Sequence, residues 1–271
     1  MGRTREATCQ CLTATIFPMQ TVINKTLTHY LLINPKAKKT AILLHGWGHN
    51  SSLWQQAVLE FDPRYRYYLL DLPGFGSTQN LPPGADIPEF TQFVSSFIKK
   101  MKIKQPLVIG HSFGGQIAID LAASYSNLPS AIILIAPAGI RTIDPKLNLK
   151  VYLINHLARL YRPIKKAIPF LAHTPLTNNL ASADYKAASP ANRQVLKKII
   201  RHDLTHKLNQ ISTPTLIVWP ELDQELPNFS RTLTDHIPNS RLRVLYGQDH
   251  NPHLNNPSEL ISTINHFLST L

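Results

Sequence analysis

The chain has 271 residues, 43% hydrophobic and 16% charged, which suits one globular domain and excludes a low-complexity or disordered chain. Its charge is strongly basic, 28 Lys and Arg against 16 Asp and Glu, a formal +12, which admits nucleic acid, a membrane surface or an anionic small molecule as partner. No stretch approaches the run of about 20 apolar residues that spans a bilayer. The two cysteines, Cys9 and Cys11, are too close for an unstrained disulfide and too few for a structural zinc site.

Residues 1–18 contain Arg3 and Arg5 but no continuous apolar run. They are expected to be a disordered extension and not a signal peptide, with Met19 as the functional start and a cytoplasmic location. Residues 19–33 are expected to supply antiparallel edge strands. Short apolar runs follow at Ala41–Leu44, Tyr67–Leu70, Leu107–Ile109, Ile132–Ile135, Thr215–Val218 and Arg243–Leu245. Most are rich in Val, Ile and Leu and too short for helices, as strands buried on both faces should be. Amphipathic segments alternate with them at Leu53–Leu59, Glu89–Met101, Gln116–Tyr125, Arg231–His236 and Ser258–Leu268. Pro88 and Pro257 fall where a helix accepts proline in its first turn. The expected fold class is therefore α/β, a mostly parallel sheet covered on both faces.

One long gap interrupts the alternation. Within it Leu147, Val151, Ile154, Leu157, Ala158 and Tyr161 recur at helical spacing. Residues 138–210 are read as a helical insertion, a lid over the C-terminal edge of the sheet, between core segments 19–137 and 211–271. The insertion holds 13 basic and 3 acidic residues, and the rest of the chain 15 and 13, so the basic character belongs to the lid. His202 and His206, four apart on an expected helix, lack the glutamate of a zinc-protease motif and read as a solvated face.

Gly110-His111-Ser112-Phe113-Gly114, followed by Gly115, lies directly between an apolar strand and an amphipathic helix. A serine on so tight a turn has a strained backbone and a projecting hydroxyl, and the positions two before and two after it must be small. Ser112 is the candidate nucleophile. A serine nucleophile needs a base, and a base needs a carboxylate to fix its tautomer. The candidate base is His250, with His253 as its rival. The candidate carboxylate is Asp223, with Glu221, Glu225 and Asp144 as rivals. Two backbone N–H groups should hold the oxyanion, one from Phe113 after the nucleophile and one from Trp47 in His45-Gly46-Trp47-Gly48. His45 and Asp71 read as turn-fixing residues.

The segments LLHGWG, DLPGFGST, GHSFGG and DHNPHLNNP, in this order, resemble the α/β-hydrolase superfamily, in its lidded, single-domain serine hydrolase branch. HGWG with Trp54 and DLPGFG also resembles the carboxylesterases that cleave the methyl ester of a carrier-bound pimeloyl group. The resemblance places the acid at Asp223 and the base at His250, in the family's chain order Ser–Asp–His. It implies an acyl-enzyme on Ser112, with no cofactor and no metal. Asp249, Pro220 and Asn256 stand where the family usually has Gly, Gly and Glu, departures that bear on loop geometry and not on the three residues.

The function expected is hydrolysis of a carboxylic ester. Thioester, amide or carbon–carbon bond hydrolysis and acyl transfer are the alternatives on the same residues, and a binding protein that keeps them is another. The partner is a small acyl compound, anionic or carrier-linked. Peripheral membrane contact through the basic lid is the further option, nucleic acid is disfavoured, and a monomer is expected.

Overall fold

A computed structural model of the chain describes residues 15–141 and 188–271. The strands are β1 (Ile16–Ile23), β2 (Thr26–Ile33), β3 (Lys39–Leu44), β4 (Tyr65–Leu70), β5 (Leu107–His111), β6 (Ala131–Ile135), β7 (Thr215–Pro220) and β8 (Ser240–Leu245). The described α-helices, in chain order, are α1 (Gln55–Val58), α2 (Ile87–Lys100), α3 (Phe113–Ser124), α4 (Pro190–Ile199), α5 (Ser230–His236), α6 (Pro252–Asn255) and α7 (Pro257–Ser269). Two 3-10 segments, Ser51–Trp54 and Thr205–Gln210, complete the described elements.

All eight strands form one sheet in the order β1-β2-β4-β3-β5-β6-β7-β8. The β1–β2 hairpin and the β2–β4 pair are antiparallel, and every other pair is parallel. The hairpin turns at Asn24 and Lys25, both with positive φ (48° and 68°), the combination a type I′ two-residue turn requires. The inner strands β5 and β6 are buried at every residue, which is why their sequences read as continuous apolar runs. Side chains of α2, α3 and α5 fill one face, including Phe90, Phe97, Ile117 and Leu233. Those of α1 and α7 fill the other, including Ala57, Ile264 and Phe267. The expected α/β class, with a mostly parallel and doubly covered sheet, is what the chain forms.

Several local expectations are corrected. Strand β1 begins at Ile16 and pairs Phe17 and Pro18 with Leu32 and Leu31, so the last residues of the supposed extension belong to the sheet. The helix expected at Leu53–Leu59 is a 3-10 turn followed by the single turn α1. Strand β8 starts three residues before Arg243, because Ser240–Leu242 pair with Thr215–Ile217, although Arg241 and Leu242 lie exposed at the sheet edge. His202 lies beyond the end of α4 and His206 sits in the following 3-10 segment, so they share no helix. His202 Nδ1 instead lies 3.1 Å from Asp86 Oδ2.

Of the expected lid, 142–187 lies outside the described residues, as do 1–14. Its described return, α4, is held to the core at several points. Gln116 Nε2 donates to the carbonyls of Ile199 and His202, at 3.0 and 3.2 Å. Asn192 Nδ2 donates to the Gly74 carbonyl at 3.0 Å, and Lys198 Nζ reaches the carbonyl of Gly84. The two flanks of the insertion lie side by side, with Leu204 N donating to Gly139 O at 2.8 Å.

Candidate active site

Ser112 sits between β5 and α3 with φ 50° and ψ −110°, a conformation that non-glycine residues rarely adopt. The turn is over-determined by its surroundings. Ser112 N donates to Ile135 O, and Ser112 O accepts from Gln116 N and Ala138 N, each at 3.0 Å. A Cβ at Gly110 would run into the Gly114 carbonyl, one at Gly114 into the Leu44 carbonyl, and one at Gly115 into Pro137. Three glycines around one serine are thus a packing requirement of this strand-to-helix corner.

The loop after β3 runs against the same corner. A Cβ at Gly46 would lie 2.8 Å from His111 Nδ1 and 3.4 Å from Ser112 Cβ. The Trp47 ring meets the Phe113 ring edge-on at 5.5 Å. Among the described residues, neither the Trp47 nor the Phe113 backbone N–H has an acceptor. Phe113 is the first residue of α3, so its N–H is among those a helix leaves unpaired, at the positive end of the helix dipole.

Asp223, just past β7, holds His250. Its Oδ2 lies 2.7 Å from His250 Nδ1, with the two side chains 1% and 5% exposed. Its Oδ1 accepts from the backbone N–H of Glu225 and Leu226, at 2.9 and 3.0 Å. With both oxygens accepting, the carboxylate orients Nδ1–H toward itself and leaves Nε2 free to face outward, where Glu225 Oε2 stands 3.6 Å away. Ser112 Oγ has no hydrogen-bond partner among the described residues. His250 meets the corner through His111, whose ring lies 4.8 Å from its own and whose Nε2 is 2.9 Å from the His250 carbonyl oxygen.

The rival residues separate. His253 stacks on Trp54 at 4.9 Å and 27°, and both its ring nitrogens are buried without partners. Burial, with His49 and His250 nearby, pushes its pKa down to about 3. Glu221 accepts from Gly247 N at 3.0 Å, which ties the loops after β7 and β8 together. Asp144 lies outside the described residues.

The turn-fixing residues are placed as expected. His45 Nε2 accepts from Leu72 N at 2.9 Å, so its proton is on Nδ1, which donates to Gly46 O at 2.8 Å. Burial pushes its pKa down to about 4, with the Gly46 bond and Asp71 acting the other way. Asp71 accepts from Ser51 N (2.7 Å), Ser77 N (2.9 Å) and the His29 ring (2.9 Å). Burial acts to raise its pKa, but these bonds outweigh burial and hold it below the usual carboxylate range. A cavity of about 190 Å³ adjoins the site, walled by Trp47, Phe75, Leu81, Phe90 and Val195, with Asn192 of α4 at its edge.

The profile of the Alpha/beta hydrolase family matches residues 41–263. The chain belongs to that family. A pimeloyl-[acyl-carrier protein] methyl ester esterase of Aeromonas hydrophila is 30% identical over 243 residues, covering 84% of this chain and 94% of the relative. A protein of the same description from Hamiltonella defensa is 27% identical over 248 residues, covering 86% and 93%. Among solved structures, a bacterial membrane phospholipase A superposes with TM-score 0.75 at 21% identity, covering 94% of this chain and 86% of that one. A serine hydrolase involved in carbazole degradation gives TM-score 0.72 at 19% identity, covering 95% and 100%. At these identities the two structures speak for the fold. The family and the esterase relatives together make the protein a hydrolase. Among the described residues no helix is long and apolar enough to cross a membrane, and no group of three or more His, Cys, Asp or Glu could hold a metal ion.

Proposed function

We propose that the protein hydrolyses a carboxylic ester through an acyl-enzyme formed on Ser112. The observation that carries this reading is the buried Asp223–His250 pair at 2.7 Å, set beside a serine held at φ 50° at the head of a helix. His250 Nε2 takes the Ser112 proton as Oγ attacks the ester carbonyl. The N–H groups of Trp47 and Phe113 donate to the developing oxyanion, each such donor being worth about 3 kcal/mol to the transition state. His250 then gives its proton to the leaving alcohol, and Asp223 balances the imidazolium while it exists. Water, deprotonated by the same Nε2, attacks the acyl-enzyme, and Nε2 returns that proton to Ser112 Oγ as the acid leaves.

The Ser112–His250 hydrogen bond is open in this state. Such bonds commonly tighten only when substrate arrives. The apolar cavity beside Trp47 takes the acyl chain. Its volume of about 190 Å³ is somewhat above the ~150 Å³ that accepts benzene, so it suits a chain of about six carbons. The esterases named above act on a methyl ester of a carrier-linked acyl group, and a carrier-linked acyl ester is the substrate we propose here.

Hydrolysis of p-nitrophenyl esters from acetate to decanoate, by wild type and Ser112→Ala, tests the reading. Turnover that peaks near the hexanoate and is lost in Ser112→Ala is the expected result. Wild-type rates in Ser112→Ala would refute the nucleophile.

A further inference from the structure

His111 takes no part in the proton transfers above, yet it joins the turn of Ser112 to the loop of His250. It precedes Ser112 and is 1% exposed. Its Nε2 bonds to the His250 carbonyl across 139 residues of chain, at 2.9 Å. Its ring packs on those of His250 and His253, at 4.8 and 4.5 Å. Its Nδ1 faces Gly46, where a Cβ would come within 2.8 Å, so the loop that carries Trp47 also closes on this ring.

The tautomer follows from the partners. A carbonyl oxygen accepts only, so Nε2 carries the proton and Nδ1 does not. Burial, with His253 and His250 beside it, keeps the ring well below the usual histidine range and hence neutral. A charged ring would need a second acceptor at Nδ1, and none is present among the described residues. The ring is therefore a fixed, single-donor strut between the nucleophile turn and the backbone of the base.

We infer that His111 is a positioning residue, whose Nε2–H sets the His250 backbone, and with it the reach of the imidazole, relative to Ser112. The inference rests on the reading of Ser112 as nucleophile and His250 as base. Packing alone would be satisfied by any side chain of similar volume. Positioning through the bond demands a donor at the Nε2 position. Glutamine places its amide nitrogen the same number of bonds from Cα, methionine fills similar volume without a donor, and asparagine carries a donor one bond short.

The test is steady-state hydrolysis of p-nitrophenyl butyrate by His111→Met, His111→Gln and His111→Asn, together with the rate at which a small fluorophosphonate labels Ser112. Expected is a 10- to 100-fold loss of kcat and of labelling rate in His111→Met, with KM changed less than twofold, and recovery to within about fivefold in His111→Gln. If His111→Met does not fold, His111→Gln against His111→Asn carries the comparison, with the longer amide faster by at least fivefold. Equal rates in the donor and non-donor variants, or a loss that falls on KM, would overturn the inference. Full activity in Ser112→Ala would instead overturn the reading beneath it, so the two failures are told apart.

Discussion

Asp223 Oδ2 and His250 Nδ1 are 2.7 Å apart, and the carboxylate has only 1% of its side chain exposed. An amide in its place could present an N–H to Nδ1 and push the ring proton to Nε2, where it would block deprotonation of Ser112. Asp223→Asn should keep the fold and lose kcat by on the order of 10⁴-fold. Circular dichroism and ester hydrolysis, measured on the same preparation, check both halves of that expectation.

His253 separates the two candidate bases in the other direction. Its ring nitrogens are buried without partners against Trp54, whose Nε1 is also unpaired. Phenylalanine would keep the stack and remove the desolvated polar atoms. His253→Phe should be neutral or stabilising, by up to about 2 kcal/mol, since a buried polar group without a partner costs that order of energy. Its kcat should stay within a few-fold of wild type. A loss as deep as that expected for His250→Ala would make His253 the base.

Buried neutral histidines make stability fall in mild acid. His45 is held at about 4, His253 at about 3 and His111 well below the usual range, all chiefly by burial. The unfolded chain takes up protons on these rings below about pH 6.5, while the folded chain does not. The unfolded state then binds more protons, so stability rises with pH across this window and is lost as pH drops from about 6.5 toward 4. Each ring contributes a slope of roughly 1.4 kcal/mol per pH unit well inside the window. Urea denaturation at pH 7, 6 and 5 measures the slope, and His253→Phe should flatten it.

The glycines of the corner should tolerate nothing larger. A Cβ at Gly114 would strike the Leu44 carbonyl, a backbone atom of the neighbouring strand that cannot swing away. Gly114→Ala should lower stability by about 1–3 kcal/mol or more, in the manner of an overpacked core. Thermal denaturation reads this directly. A Tm equal to wild type would mean that the corner is looser than described.

The sequence made the inner sheet legible because β5 and β6 are buried on both faces and so read as unbroken apolar runs. It was less informative at the edges. Arg241 and Leu242 of β8 lie exposed, and their pairing with β7 leaves no apolar pattern to see. The segment from Ser51 divides at the buried Trp54 into a 3-10 turn and a single α-helical turn, each too short to show a periodicity. At the site, a serine framed by glycines announced itself, because sterics forces small residues at fixed offsets. The His111 strut did not, because its partner carbonyl is 139 residues away and backbone atoms carry no signature in sequence. The anchoring of α4 by Gln116 was hidden in the same way, as both of its acceptors are carbonyls.

The hydrogen bond between Leu204 and Gly139 means that the chain leaves the core and re-enters it at nearly one point. Closing a loop costs little more when the loop is long than when it is short, so segments of very different size can be spliced between two such anchors at small thermodynamic cost. The reacting groups, which all lie outside that interval, need not register the exchange. A scaffold built this way can change what it admits without renegotiating how it reacts, and a laboratory can graft another relative's intervening segment between Gly139 and Leu204 on the same principle.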